Sequence, residues 1–268
     1  MSEADAIKGL KAPLTVESLA AALRDCGLQE GMTVLVHSSL SSLGWVSGGP
    51  VAVIQALLTV LGEQGTLVMP THSADYSDPA EWQNPPVPES WWQVIRESMP
   101  PFDPQITPCR GMGVIAETFR RWPGVLRSSH PAYSFAARGP DAQAITGEHE
   151  LNYGLGAGSP LARIYDREGY VLLLGVGYDS NTSFHLAEYQ VSGASPVTLG
   201  APITVDGERR WVQYRDIDLD ADPFPRIGEA WDASGFVTIG RVGKATARFF
   251  PQRDAVDFAR KWLADSRE

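Results

Sequence analysis

The sequence predicts an α/β fold with a mainly parallel central sheet, flanking helices and a smaller antiparallel β-hairpin elaboration in the C-terminal third. Three observations carry that prediction. Short apolar and β-branched runs at Met32 to Val36, Thr66 to Met69 and Tyr170 to Leu174 have the pattern of strands buried on both faces. Segments with helical apolar spacing separate them, and parallel strands joined by a helix form right-handed βαβ units. Ile203 to Val205 and Arg210 to Ile217 alternate in polarity around Asp206-Gly207, a hairpin-turn dipeptide.

Taken in order, Thr15 caps a helix that carries Val16, Leu19 and Leu23 and ends near Gly27. The first strand runs into His37, Ser38, Ser39, Leu40, Ser41, Ser42, Leu43 and Gly44. Gly48 and Gly49 precede Pro50, which suits a first helical position, and then the apolar helix 51–61. The second strand ends in Pro70, Thr71, His72 and Ser73. Asp75 to Pro108 is dense in proline and tryptophan and reads as a long irregular loop, a length usually kept for function. Its acids Asp75, Asp78, Glu81 and Asp103 either line a cleft for a polyamine or anchor the loop.

Arg110 to Gly113 leads into a helix through Phe119. Residues 127–139 read as one strand with a polar entry, Asp141 opens a short helix, and Ser159-Pro160 opens another. Trp231 to Arg248 gives a helix end, a strand FVTIG and a further amphipathic segment, before a closing helix from Ala255 to Leu263.

The chain has 268 residues, 43% hydrophobic and 20% charged, enough to bury a substantial core. It reads as one domain over 1–268, with 75–108 a substrate-side loop region and 199–220 a hairpin elaboration. A formal charge of -10 disfavours nucleic acid and anionic membrane and attracts cationic small molecules. Cys26 and Cys109 stand in no metal-ligand spacing, so neither a disulfide framework nor a metal site is expected. The N-terminus lacks an apolar leader and no run of membrane-spanning length occurs, so the expected location is cytoplasmic. Oligomeric state is left open.

The chemistry concentrates in Gly169 to Gln190, GYVLLLGVGYDSNTSFHLAEYQ. Gly175 and Gly177 break the strand, and the polar run from Asp179 to Thr182 starts a helix near Asn181 or Thr182. His185 and Glu188, three apart, share a helix face, with Asp179 in the preceding turn. The spacing admits an exposed ion pair or a base whose tautomer is held by a carboxylate. Its place beyond a strand's carboxyl end, a crevice it shares with His37, favours a site. The two Gly-x-Gly stretches, Gly111-x-Gly113 and Gly175-x-Gly177, match the dinucleotide fingerprint only weakly. With no G-x-S-x-G nucleophile elbow, a serine hydrolase is disfavoured.

VHSSLSSLG, TLVMPTHS, RGMGVIAETFRRWPGVLRSSHPAYSFAARGP, GAGSPLARI and VLLLGVGYDSNTSFHLAE, in that order, resemble the aminoglycoside N3-acetyltransferase family. The resemblance is close over residues 15–190 and looser through the hairpin. It implies transfer of an acetyl group from acetyl-CoA to the 3-amino group of a 2-deoxystreptamine aminoglycoside, and so antibiotic resistance. A CoA-dependent acetyltransferase acting on a different amine is the alternative. On this resemblance His185 is the base, and Glu188 and Asp179 are its acidic partners. His37, Ser38, Ser39, Ser41, Leu43, Gly44, Arg110, Gly111, Met112, Gly113, Ser134 and Phe135 fall on segments expected along the CoA channel. Asp75, Tyr76, Asp179 and Glu188 are the expected contacts to the cationic substrate, and backbone N–H groups of Ser38 to Leu43 are candidates for the oxyanion. No metal is implied.

Overall fold

A computed structural model describes residues 3–267. The chain opens with α1 (Glu3–Ile7) and α2 (Val16–Asp25), the latter held by a capping box between Thr15 and Ser18. Then follow β1 (Thr33–Ser38), α3 (Leu40–Leu43), α4 (Gly49–Leu61) and β2 (Thr66–Pro70), with β1 and β2 parallel as the βαβ reading requires. Next come α5 (Glu89–Ser98), α6 (Gly113–Phe119), β3 (Leu126–Arg127), β4 (Phe135–Arg138), α7 (Ala142–Thr146) and α8 (Pro160–Asp166). The last third holds β5 (Tyr170–Leu174), α9 (Ser183–Glu188), the hairpin β6 (Pro196–Val205) and β7 (Glu208–Ile217), α10 (Phe224–Asp232), β8 (Thr238–Val242), β9 (Ala245–Pro251) and α11 (Gln252–Arg267).

Seven strands form one sheet in the order β3-β4-β2-β1-β5-β9-β8. Because side chains alternate along a strand, Val34, Val36, Leu67 and Leu172 pack on one face with α2, α4 and α6. Leu35, Val68, Val171 and Leu173 pack on the other with α7 to α11. The carboxyl ends of β1, β2 and β5 consequently open at one edge of the sheet. The site lies there.

The α/β class, the flanking helices and the separate hairpin sheet match the expectation, with one difference in the sheet. It is parallel only at its centre, where β1 pairs with β2 and β5, and antiparallel on both flanks. The reason is local. Gly243-Lys244 is too short a link for a parallel crossover, so the segment read as amphipathic is β9, folded back on β8 and paired with β5. Likewise residues 127–139 form two short strands, β3 and β4, separated by the 128–134 turn. The stretch 75–108 is less irregular than expected, since it contains α5 and docks on the hairpin, where Arg209 donates to the Met99 carbonyl at 2.7 Å.

α10 packs hard against the turn that precedes α9. A Cβ on Gly228 would stand 2.0 Å from the Tyr178 ring. That ring stacks on Phe184 at 5.8 Å, and its hydroxyl donates to Asp232 at 2.6 Å. Gly228→Ala is therefore expected to destabilise the protein by about 1–3 kcal/mol through overpacking, read as a lower urea midpoint; an unchanged midpoint would mean that Tyr178 yields freely.

Candidate active site

The strand-end crevice widens into a cavity of about 880 Å³, within the ~300–1,000 Å³ usual for cofactor-sized ligands. His37, Ser38, Ser39, Ser41 and Gly44 form one wall, Gly111, Met112 and Gly113 another, and Asp179, Ser180 and Thr182 a third. Local sequence explains the shape. Ser39 donates its N–H to the Leu174 carbonyl, which ties the β1 exit to β5, and the Ser39 hydroxyl meets those of Ser41 and Ser42. Gly111 and Gly113 have φ of +75° and +79°, and a Cβ on Gly111 would meet nothing within 4 Å, so at that point of the second wall, beside Met112, backbone faces open space.

Deeper in, α9 starts where Asn181 Oδ1 accepts from the Ser183 N–H at 3.3 Å, which leaves Thr182 free to line the cavity. One turn on, His185 Nδ1 lies 2.5 Å from Glu188 Oε2. Glu188 Oε1 accepts the Asp220 N–H at 3.0 Å. The carboxylate is thus wholly enclosed, whereas the imidazole keeps 16% of its surface open and rests on the Phe224 ring at 4.7 Å. A carboxylate accepting at Nδ1 keeps the proton there and leaves the Nε2 lone pair for chemistry.

Of the five histidines of the chain, His37 lines this cavity, while His72, His130 and His149 cluster through the Tyr133 ring and one another. His37 sits at the β1 end with Nε2 3.4 Å from the Thr182 hydroxyl; burial, with a lesser contribution from a charge on His185, pushes it down to about 3. His130 Nδ1 accepts from the Ala132 and Tyr133 N–H groups, so its proton is on Nε2 and goes to the Leu151 carbonyl. His149 bridges the Ser128 hydroxyl and the Gly154 carbonyl. Burial holds these two at about 3 and about 4. His72 lies edge-on to Tyr133 and Phe135, and burial carries it well below the usual imidazole range. Among the described residues, no three His, Cys, Asp or Glu are placed to hold a metal ion.

The structure brings together most of the residues anticipated along the channel, and separates others. Leu43, Ser134 and Phe135 are fully enclosed. The Ser134 hydroxyl donates to the Thr71 carbonyl, and Phe135 packs in the core beneath β4, so neither reaches the cavity. Arg110 pairs with Asp75 at 3.1 Å on the surface, both largely exposed. Tyr76 packs edge-on against Phe102. Asp179 lines the cavity beside Ser180 and makes no hydrogen bond to His185. Glu188 has both oxygens hydrogen-bonded and its side chain fully enclosed, so it presents no surface to the cavity. Ser39 and Ser42 spend their N–H groups on the Leu174 and Ser39 carbonyls and drop out as oxyanion donors.

Nothing in the sequence marks Asp216 or Tyr189. Asp216 lies inside, and its carboxylate accepts the Tyr189 hydroxyl at 2.5 Å. Burial is the main influence on it and raises its carboxyl above the usual range. In sequence it is one acid in the run DIDLDAD, indistinguishable there from exposed hairpin polarity.

Residues 35–264 match the family described as aminoglycoside 3-N-acetyltransferase. The chain is 51% identical over 255 residues to the SPbeta prophage-derived aminoglycoside N(3')-acetyltransferase-like protein YokD of Bacillus subtilis, covering 95% of this chain and 94% of that one. The YokD crystal structure superposes with a TM-score of 0.97 over 99% of both chains, at 49% identity. An AAC-IIIb structure in binary complex with CoASH gives 0.86 at 32% identity, over 95% of this chain and 98% of the other. AAC-VIa bound to sisomicin gives 0.85 at 33% identity, over 95% and 99%.

Proposed function

Because this chain belongs to the aminoglycoside 3-N-acetyltransferase family, we propose that it moves an acetyl group from acetyl-CoA to the 3-amino group of a 2-deoxystreptamine aminoglycoside, with His185 as general base. The observation that carries the reading is the enclosed Glu188 carboxylate on His185 Nδ1, on the helix that begins right after Thr182, a residue of the wall of a cavity of cofactor size. Acetyl-CoA supplies the acetyl group as a thioester. The serine wall and the wall of Gly111 to Gly113 suit the long, thin arm of that co-substrate, and a relative of the same fold is known with CoASH bound.

An amine reaches neutral pH protonated and must shed that proton before it can attack. His185 Nε2 takes it directly or through one water, worth about 10² to 10⁴ in rate. Glu188 holds the imidazole in the correct tautomer throughout. Negative charge then grows on the acetyl oxygen, and the N–H groups of Leu40 and Ser41, at the start of α3 on the cavity wall, are the donors left in the β1 exit for it. Collapse of the adduct breaks the C–S bond, the CoA thiolate leaves and takes the proton held on His185 Nε2, and the remaining ammonium proton of the new amide passes to water. Asp179 and the exposed acids of the 216–222 run favour a cationic partner, in keeping with the charge of -10. We read the chain as one functional domain acting in the cytoplasm, where Cys26 and Cys109 stay as the free thiols seen here.

A different amine as acceptor is the second reading. It is favoured by one observation, that the relative sharing 51% identity is itself named acetyltransferase-like. Thiol release from acetyl-CoA with gentamicin, tobramycin, kanamycin, neomycin and apramycin separates the two. Turnover with several, and a product acetylated at N3 by NMR, is the expected result; CoA binding without turnover on any of them would turn the assignment to another amine.

A further inference from the structure

The hairpin β6-β7 shares no strand pairing with the seven-stranded sheet, yet the chain around it meets α9 twice at its Glu188 end. Two contacts do this. Leaving β7, the Asp220 N–H donates to Glu188 Oε1 at 3.0 Å. Four residues earlier, Asp216 Oδ1 accepts the hydroxyl of Tyr189, the residue immediately after Glu188, at 2.5 Å. The same carboxylate also accepts its neighbour's N–H from Ile217 at 2.8 Å and, through Oδ2, the Gly154 N–H at 3.2 Å. Asp216 is 1% exposed, so enclosing its charge is costly unless those donors are kept.

We propose that Asp216 and Tyr189 are positioning residues: their hydrogen bond clamps the end of α9 to the substrate-side hairpin and thereby sets the angle at which His185 is presented to the amine.

Three features support this. α9 is only six residues long, so a hydrogen bond one residue past its end acts directly on the turn that carries Glu188. Neither residue lines the CoA cavity, which makes a role in holding the co-substrate an unneeded explanation. And the hairpin is independently fastened elsewhere: Tyr153 N–H to the Arg215 carbonyl, Arg215 N–H to Asn152, and Arg209 to α5. Cutting the Tyr189–Asp216 bond should therefore loosen the base without releasing the hairpin. Glu188 on its own helix is the titratable group in contact with His185, and a charge on His185 is also felt by His37 from β1, His72 beyond β2 and Asp216 from β7.

The inference rests on the transferase reading for its kinetic consequence but not for its structural one, and two readouts keep them apart. In the full-length protein, ¹⁵N-resolved NMR of the imidazoles, with His185→Ala used for assignment, follows the His185 Nδ1–H proton held by Glu188. Steady-state kinetics and CoA calorimetry run in parallel on Tyr189→Phe, Asp216→Asn and the double variant. Expected are a shifted or exchange-broadened Nδ1–H signal, kcat lower by about tenfold or more, since small misplacements of a catalytic group are expensive, KM for acetyl-CoA within twofold, and unchanged CoA affinity. The double variant should lose less than the two single losses multiplied together, because both changes disturb the same Tyr189–Asp216 bond while each also touches a contact of its own, Leu155 N–H to Tyr189 and Gly154 N–H to Asp216. An unchanged proton signal with kcat within twofold would overturn the proposal, as would parallel losses in CoA affinity and kcat, which mark general loosening. Should Asp216→Asn not fold, Tyr189→Phe, which removes only a hydroxyl, still decides. If the wild-type protein turns over no amine, the transferase reading fails while the proton signal still tests the clamp.

Discussion

Replacing His185 by alanine is expected to lower kcat/KM by about 10² to 10⁴, the usual worth of general-base assistance, while CoA binds as before. The separation follows from placement. CoA affinity is attributed to the serine and glycine walls, which do not include His185, and the imidazole stands beyond them over Phe224. Glu188→Gln should lose activity as well, for a different reason. A carboxylate can only accept at Nδ1, whereas an amide can turn its NH₂ toward that nitrogen and hold the wrong tautomer, with the proton on Nε2 where the amine must deliver its own. Measured by thiol release, activity of His185→Ala within threefold of wild type would remove it from the mechanism. If Glu188→Gln were fully active, the tautomer argument would fail although the base assignment could stand.

How far this could be read from sequence depended on whether an interaction is local. The Thr15 capping box, the Ser159-Pro160 helix start and the His185–Glu188 pair each involve residues within four positions, and each stands where its spacing puts it. The buried strands β1, β2 and β5 were legible because a run apolar on both faces has few other homes. What the sequence concealed was long-range. Nothing in FVTIGRVGKATARFF says that its second half returns to pair with β5, because a half-polar strand such as ATARFFP carries the same residues as an amphipathic helix.

The site shows the same division. Ser134 and Phe135 belong to a family-like stretch, and their segment lies beside the crevice. The turn of β3 into β4, however, points Ser134 at Thr71 and Arg127 and sends Phe135 into the core. Conversely Asp216 is twenty-seven residues from Tyr189 in sequence, and only the fold of the hairpin across the end of α9 joins the two. The acids of the long 75–108 segment admit two roles in sequence, lining a cleft or anchoring the loop. Asp78 turns out to be the N-cap of its own short turn and the partner of Arg96 at 2.7 Å, so part of that acidity staples the segment to α5.

Acidification should unfold the protein well before the carboxylates alone would require it. His37, His130 and His149 have folded values of about 3, about 3 and about 4, held down chiefly by burial, against about 6.5 in an unfolded chain. Below pH 6.5 the unfolded chain therefore binds protons that the folded one refuses, and stability falls as pH falls. Each group contributes about 1.4 kcal/mol per pH unit until its folded value is reached. At pH 5 three such groups amount to about 6 kcal/mol, comparable with the ~5–15 kcal/mol that holds a domain together. His72 adds in the same direction. Asp216 opposes, because burial raises it and its protonation favours the folded state, but it is one group against four and acts only once the pH nears its own folded value. Urea midpoints measured between pH 7.5 and 4.5 should be level at the top and drop steeply from about pH 6.5. His149→Gln, which removes one titrating ring, should shed about one proton's worth of that slope whatever it does to the midpoint at pH 7.5. A midpoint that stays level to pH 4.5 would mean that the buried imidazoles are protonated within the fold, and the neutral, tautomer-fixed network around the crevice would have to be abandoned.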